Sequence, residues 1–231
     1  MKSGPVLFLG IFAALGVSWA GIVVGSTTQL GSLAPYYDPN ESQSVPSGFP
    51  GAASRGDLVY RDLNCASCHT QQVRRPGFGS DEARGWGDRQ SVARDYIYEP
   101  YVELGSSRFG PDLANLAARK PSAPDAASLY RLLYAGQGAM PPYAFLFTER
   151  KISGERSNDA LKLAGAGAPE PGHEIVPTPR AQALVSYLLS LNAPFDYPET
   201  MRPAAPAAEK AAAPAAGAAA PAPAKAEDAK K

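Results

Sequence analysis

The first thirty residues contain the longest apolar run of the chain. Residues 5–25 read PVLFLGIFAALGVSWAGIVVG, and no charged residue lies between Lys2 and Asp38. About 20 apolar residues are enough for a helix that crosses a lipid bilayer. The pattern therefore predicts a membrane anchor over residues 1–25, with Lys2 on the cytoplasmic side and the rest of the chain outside. A cleaved signal peptide is the alternative, because Ser18-Trp19-Ala20 offers small residues for cleavage.

Beyond the anchor, the apolar positions indicate short amphipathic helices separated by loops. Ser, Thr, Pro and Gly dominate residues 26–51, which we interpret as a linker. Apolar or small residues then recur at three- and four-residue spacings over Ala52–Asn64 and again over Pro179–Asn192. Gly56 weakens the first of these helices, so we expect another backbone to approach it closely. The two stripes together predict helices that cross at this glycine.

Two further helices and a polar tail complete the pattern. We predict a helix over Ala126–Ala135 and, if the Gly-Pro step before Asp112 is an ordinary turn, another over Asp112–Arg119. Residues 201–231 are rich in Ala, Pro and Lys and have too little apolar surface to offset the entropy of ordering, so they predict a disordered tail. The expected fold class is all-α: one transmembrane helix, a helical domain over residues 52–200, and the tail.

Composition narrows the classes of partner. The chain has 22 Lys and Arg residues and 22 Asp and Glu residues, so its formal net charge is zero. A balanced charge argues against a polyanion as partner, and we expect no nucleic acid. The 22 glycines and 23 prolines predict many loops and few long regular elements.

The strongest chemical signal is the pentapeptide Cys65-Ala66-Ser67-Cys68-His69. It contains both cysteines of the chain and one of its two histidines. The C-x-x-C-H pattern is typical of c-type haem attachment, in which the two thiols bind the porphyrin and the imidazole binds iron. A thioredoxin-like dithiol would need a βαβ setting, and a structural zinc site would need a fourth ligand. A disulfide across two residues would constrain very little of the chain.

A methionine is the best candidate for the second axial ligand of the iron. Met140 lies in a loop framed by glycine and proline, 136–143, and such a loop can present a thioether without helical constraints. His173 is the alternative, but it lies in a polar loop and is expected to be solvated. Met201 follows the last helix and is a poor candidate. Met/His ligation suits electron transfer because it fills the coordination shell of the iron.

Two residues between the ligands are candidates for supporting the haem. The Pro111 carbonyl could accept a hydrogen bond from the free ring nitrogen of His69 and orient the ring, although an ordinary Gly-Pro turn would give the same sequence. Arginine forks pair well with haem propionates, and Arg108 is our first choice. Other arginines are expected on a solvated or subunit-facing loop. Trp86 could pack over the haem edge or on a partner. The arginines of this region are Arg74, Arg75, Arg84, Arg89, Arg94 and Arg108.

Several stretches resemble the mono-haem subunit of cbb3-type cytochrome c oxidases. The likeness spans about residues 1–147. The run GSSRFGPDL at 105–113 is the part that separates this family from other cytochromes c. The matching stretches are Cys65–Arg74, Tyr98–Arg119 and Met140–Leu146.

The resemblance implies a class I cytochrome c-like domain with one covalent haem c, interrupted by an insertion at about 149–178. It implies that electrons pass from a periplasmic cytochrome c or a di-haem sister subunit to a many-helix haem-copper oxidase subunit. The expected location is the bacterial inner membrane, with the haem on the periplasmic side. The chain itself is not expected to reduce oxygen, because a haem-copper centre needs several histidines. A free-standing anchored cytochrome c and a haem peroxidase remain as alternatives.

Overall fold

The computed structural model describes residues 3–193 and 195–200, and it begins with one long helix. This helix, α1, covers Gly4–Leu30, includes a π-helical turn, and is long and apolar enough to cross a membrane. It continues past the predicted end at residue 25. The Thr27 hydroxyl donates to the Val23 carbonyl oxygen at 2.8 Å, and the Thr28 hydroxyl donates to Gly25 at 2.9 Å. These internal bonds let polar residues extend the helix.

The region predicted as a linker, 26–51, contains further ordered structure. After α1 ends, strand β1 (Tyr36–Asp38) pairs antiparallel with β2 (Gln43–Val45). The Asp38 carboxylate accepts a hydrogen bond from the Asn40 backbone amide at 2.8 Å, which closes the turn between the strands. A small hairpin therefore lies between the anchor and the helical part of the domain.

The frame of the domain is a pair of crossing helices. Helix α2 covers Gly51–Asp62. A Cβ atom at Gly56 would lie 2.0 Å from the Ala183 carbonyl oxygen, so only glycine permits this approach. The partner is the predicted C-terminal helix, and the crossing predicted at Gly56 is confirmed. Its first turn is capped by the Thr178 hydroxyl, which accepts from the Ala181 amide at 3.4 Å.

The C-terminal helix is shorter than its apolar stripe predicts. It covers Pro179–Leu188, whereas the stripe continues to Asn192. The backbone after the helix turns to pair with another loop: the Leu191 carbonyl accepts from the Ala117 amide at 3.0 Å. Leu191 is still only 4% exposed, so it reaches the core from an irregular segment.

The helix predicted over Ala126–Ala135 is confirmed, and we call it α3; the C-terminal helix is α4. The helix predicted over Asp112–Arg119 is wrong, because only a single 3-10 turn, Leu116–Ala118, forms there. Asn115 explains the difference, because its side chain accepts from the Ala193 amide at 2.9 Å instead of facing solvent on a helix. The core beneath α2, α3 and α4 includes Val59, Tyr60, Leu113, Leu129, Leu133, Leu146, Leu184 and Leu188.

The all-α prediction needs correction, because the structure combines helices with two small sheets. Besides β1 and β2, strand β3 (Phe147–Lys151) pairs antiparallel with β4 (His173–Pro177). Glu174 on β4 is 2% exposed and accepts hydrogen bonds from Arg150 Nε at 2.9 Å and from Ser157. The buried carboxylate and the partly exposed Arg150 side chain thus connect the two strands of the hairpin. The predicted tail, 201–231, lies outside the described residues.

The loop that contains Arg89 and Arg94 contacts two distant parts of the chain: the residues that follow α1 and the residues that follow α4. Arg94 Nε donates to Glu199 at 2.5 Å, and its Nη1 donates to the Ala34 carbonyl oxygen. Arg89 binds the Asp95 carboxylate through Nη2 at 2.6 Å, and its guanidinium lies 5.1 Å from the centre of the Tyr197 ring. We call Arg89, Arg94, Asp95, Tyr197 and Glu199 the anchor-side cluster.

Candidate haem-binding site

The cysteine motif follows directly from the end of α2. Asn64 adopts the left-handed conformation (φ 55°) and starts a 3-10 turn, Cys65–Ser67. The His69 amide donates to the Cys65 carbonyl oxygen at 3.0 Å, which brings the imidazole back over the turn. Both thiols are free, and Cys68 is exposed. Burial raises the pKa of the Cys65 thiol to about 11, so this group is protonated at neutral pH.

The His69 ring is held in one orientation by a backbone carbonyl. Its Nδ1 atom lies 2.8 Å from the Pro111 carbonyl oxygen, the acceptor that the sequence suggests. Because a carbonyl only accepts, Nδ1 carries the proton and Nε2 keeps its lone pair. The ring lies against Gly110, where a Cβ atom would come within 2.2 Å of His69 Cε1. Glycine at this position is therefore a condition for the placement of the imidazole.

The segment that carries Pro111 runs alongside the cysteine motif. The Gly110 amide donates to the Cys68 carbonyl oxygen at 2.9 Å, and the Leu113 amide donates to Thr70 at 2.7 Å. Gly105 has φ +82°, and a side chain there would collide with the His69 carbonyl oxygen. Backbone bonds on both sides of Pro111 thus fix its distance from the histidine.

Arg108 is bound by a buried carboxylate of the protein. Its Nη1 atom lies 2.7 and 2.8 Å from the two oxygens of Asp81, which is 1% exposed. Its Nη2 atom donates to the Gln72 carbonyl oxygen and lies 3.5 Å from Asp112. The propionate role that we predicted for Arg108 therefore competes with Asp81. Arg74 binds the same carboxylate from the other side, with Nη2 to Oδ1 at 3.1 Å.

Asp81 and Asp112 are the two residues of the site that sequence reasoning did not single out. Burial alone would raise the pKa of Asp81, but the hydrogen bonds from Arg74 and Arg108 outweigh it and lower the pKa. Asp112 is fully buried, and it accepts from the Thr70 hydroxyl at 2.5 Å and from the Gln72 amide at 2.8 Å. We call Arg74, Asp81, Arg108 and Asp112 the haem-motif cluster.

Met140 lies in a tight turn that depends on glycine. Its amide and carbonyl both bond to Gln137, at 3.0 and 3.1 Å. Gly136 has φ +70°, and a side chain there would collide with the Met140 carbonyl oxygen. Met140 is half-buried and packs against the same hydrophobic core as Cys65. Burial raises the pKa of the Tyr143 hydroxyl in the same loop.

Three further sequence candidates remain: His173, Trp86 and Met201. His173 is the first residue of β4, half-buried instead of solvated, and its buried Nδ1 has no hydrogen-bond partner among the described residues. Trp86 lies beneath the guanidinium groups of Arg84, at 4.8 Å, and Arg108, at 5.7 Å. Met201 lies outside the described residues.

The residues around the motif fit a covalently attached haem. Cys65 and Met140 pack against one hydrophobic core, Cys68 is exposed, and the His69 imidazole keeps Nε2 free of the Pro111 contact. The Nδ1 contact to a backbone carbonyl is the outer partner that metal-binding histidines normally have. The donor set therefore suits iron with one nitrogen and one sulfur axial ligand.

Comparison with known proteins agrees with this chemistry. A search of curated proteins found no match. The family model described as cytochrome c oxidase, mono-haem subunit/FixO matches residues 40–177, which is more than half of the chain. The matched range contains the cysteine motif, Pro111 and Met140, and also most of the segment that we predicted as an insertion. The chain therefore belongs to the FixO family of mono-haem cytochrome c oxidase subunits.

Proposed function

We propose that this chain carries one haem c, bound covalently through Cys65 and Cys68, with His69 and Met140 as the axial ligands. The observation that supports this most directly is the 2.8 Å contact between His69 Nδ1 and the Pro111 carbonyl oxygen. It leaves Nε2 as the metal-binding nitrogen and makes the imidazole a stronger donor. The bound haem would supply reversible one-electron chemistry at iron.

The protein residues have separate tasks in this proposal. The two thiols keep the cofactor in place, and the buried leucines of the core exclude water from it. Met140 fills the last coordination position, which favours electron transfer over oxygen binding. The turn at Gly136 places the Met140 thioether on a loop, where helical geometry does not restrict its orientation.

The family places the chain in a cytochrome c oxidase complex, and we infer its part in that complex. With the haem held by Cys65, Cys68, His69 and Met140, the chain would pass electrons from a periplasmic cytochrome c or a di-haem sister subunit to the catalytic haem-copper subunit, which has many membrane helices. The chain is not catalytic by itself. Helix α1 anchors it in the bacterial inner membrane, and the haem domain lies on the periplasmic side. Family membership and the apolar helix support this inference.

The ligand assignment is tested by Met140→Ala, with His173→Ala as the matched control. In the purified complex, we expect Met140→Ala to remove the absorbance and spin-state signature of a six-coordinate Met/His haem c. His173→Ala should leave this signature unchanged, because His173 lies on β4. If His173→Ala removes the signature and Met140→Ala does not, the assignment of the sulfur ligand is wrong.

The relay is tested on the assembled oxidase. We expect the chain to co-purify in mild detergent with a many-helix haem subunit. Cys65→Ser combined with Cys68→Ser should abolish electron transfer from reduced cytochrome c while the haems of the catalytic subunit remain. A chain that purifies alone, with its haem intact, would instead support a free-standing anchored cytochrome c.

A further inference from the structure

The haem-motif cluster suggests a task for Asp81 that no haem ligand performs. Asp81 is almost completely buried and lies 27 residues before Arg108 in the sequence, yet both of its oxygens bind the Arg108 guanidinium. It also accepts hydrogen bonds from the Arg74 amide at 2.8 Å and from the Arg74 side chain. One carboxylate thus ties the chain just after the cysteine motif to the segment that carries Pro111.

The connection continues from Arg108 to the carbonyl that orients His69. Arg108 lies three positions before Pro111, and its Nη2 atom donates to the Gln72 carbonyl oxygen. Asp112, immediately after Pro111, bonds the Thr70 hydroxyl and the Gln72 amide. The Pro111 peptide is therefore fixed on both sides to residues that directly follow His69. The side closer to the N-terminus is held by the backbone bond from Gly110 to Cys68 and, in addition, by an ion pair with a distant residue.

We propose that Asp81 is a positioning residue: through Arg108 it keeps the Pro111 carbonyl at hydrogen-bond distance from His69 Nδ1 and so tunes the reduction potential. This inference rests on the proposed function, because it assumes that His69 binds the haem iron. A hydrogen bond from Nδ1 makes the imidazole a better donor, which favours ferric iron. When the support of Asp81 is lost, the bond should weaken and the midpoint potential should rise.

Charge alone would also change the potential, so the decisive variant keeps the net charge constant. Asp81→Asn combined with Arg108→Gln removes one negative and one positive charge from neighbouring positions. Direct Coulomb effects on the haem then largely cancel, whereas the loss of positioning does not. The matched control is Glu174→Gln combined with Arg150→Gln, which removes a second buried carboxylate and its arginine from the β3–β4 hairpin.

Two measurements on the purified holoprotein separate the outcomes. The first is the midpoint potential from a redox titration of the haem absorbance. The second is the rate at which the His69 Nδ1 proton exchanges with solvent, followed by NMR in the reduced protein. We expect the Asp81/Arg108 variant to have a higher potential and at least several-fold faster exchange, and the Glu174/Arg150 variant to change neither.

An unchanged potential or an unchanged exchange rate in the Asp81/Arg108 variant would overturn the proposal. If this variant does not fold, Arg108→Lys tests the same point, because lysine keeps the charge but lacks the second nitrogen that lets Arg108 bind both Asp81 and the Gln72 carbonyl oxygen. Absence of covalent haem from the wild-type chain would contradict the proposed function itself. That result is distinguishable, because the haem absorbance would then be missing from every variant.

Discussion

The haem-motif cluster and the anchor-side cluster use the same chemistry for different ends. Each buries an aspartate against arginine: Asp81 with Arg108 at 2.7 Å, and Asp95 with Arg89 at 2.6 Å. The first joins segments that flank one histidine, so its effect is local. The second belongs to the anchor-side cluster, in which Arg94 binds both Ala34, after α1, and Glu199, after α4. Similar ion pairs thus connect the segments around His69 in one cluster and the two ends of the domain in the other.

The largest loss of stability should come from a substitution at the crossing of α2 and α4. A Cβ atom at Gly56 would lie 2.0 Å from the Ala183 carbonyl oxygen, so Gly56→Ala must push α2 and α4 apart. We expect a loss of at least about 3 kcal/mol in the free energy of unfolding, as for severe overpacking. Chemical denaturation of the full chain in detergent measures it.

Gly51→Ala is the control for this substitution. Gly51 is in the same helix, but an added Cβ atom would meet only the end of the Arg55 side chain at 4.0 Å. We expect no loss of stability from Gly51→Ala. Equal effects of the two variants would mean that the close approach at Gly56 does not limit the fold.

Replacement of Arg89 should show that the two clusters affect different properties, because it should lower the stability and leave the redox potential unchanged. Arg89→Gln leaves the Asp95 carboxylate without its charged partner, and breaking such a partly buried pair costs roughly 3 kcal/mol. The midpoint potential of the haem should stay unchanged, because the hydrogen bonds of Arg89 within the described residues go to Gln90, Asp95 and Phe195. Thermal unfolding and a redox titration on the same sample check both points.

The exposed pair of Lys120 and Asp88 provides the comparison for Arg89. Their side chains are 65% and 76% exposed. Lys120→Ala should therefore cost less than about 0.5 kcal/mol. A potential that shifts in Arg89→Gln would show that the two clusters do not act separately.

Glu99 shows what a half-buried carboxylate does when no arginine in the described part of the chain forms an ion pair with it. It lines a cavity of about 390 Å³ beside the β1–β2 hairpin, and burial, followed by the charge of Asp57, raises its pKa to about 7. The folded state then binds a proton that the unfolded chain releases above its ordinary pKa of 4.5. The free energy of unfolding should thus fall as pH rises from about 4.5 to 7.

Glu99→Gln should remove this pH dependence, because glutamine stays neutral. We expect the variant to be more stable than the wild type above pH 7 by at most about 3.5 kcal/mol, since the pKa rises from 4.5 to about 7 and each unit is worth about 1.4 kcal/mol. Denaturation midpoints measured across the range check it. The same slope in both proteins would contradict the assignment to Glu99, and Asp57, Asp95 and Glu103 would be the carboxylates to test next.

Local spacing explains which features the sequence could predict. The crossing at Gly56 follows from two apolar stripes and from a helix-weakening glycine within the first of them. Helix α3 follows from an apolar stripe between Asp125 and Gly136. The cysteine motif, Met140 and Pro111 are each recognisable within a few neighbouring residues. The bond between His69 and Pro111 could be suggested because proline has no amide donor but keeps its carbonyl as a free acceptor.

Pairings between distant residues explain what the sequence could not predict. Nothing in the pattern separates Asp81 from the other acidic residues between Arg74 and Arg108. The β3–β4 hairpin depends on Glu174 finding Arg150 and Ser157, and its strands lack a clear alternation. The helix predicted at Asp112 fails for the same reason, since Asp112 bonds to Thr70 and Gln72.

The short connection between α1 and the anchor-side cluster limits how far the domain can move. Helix α1 ends at Leu30, and Arg94 already holds Ala34. Four residues span at most about 14 Å even when fully extended. A domain on so short a connection can move only a little relative to the membrane, so its haem could not travel to meet a redox partner. Electron transfer along the proposed route would therefore depend on fixed distances between cofactors and not on encounter rates.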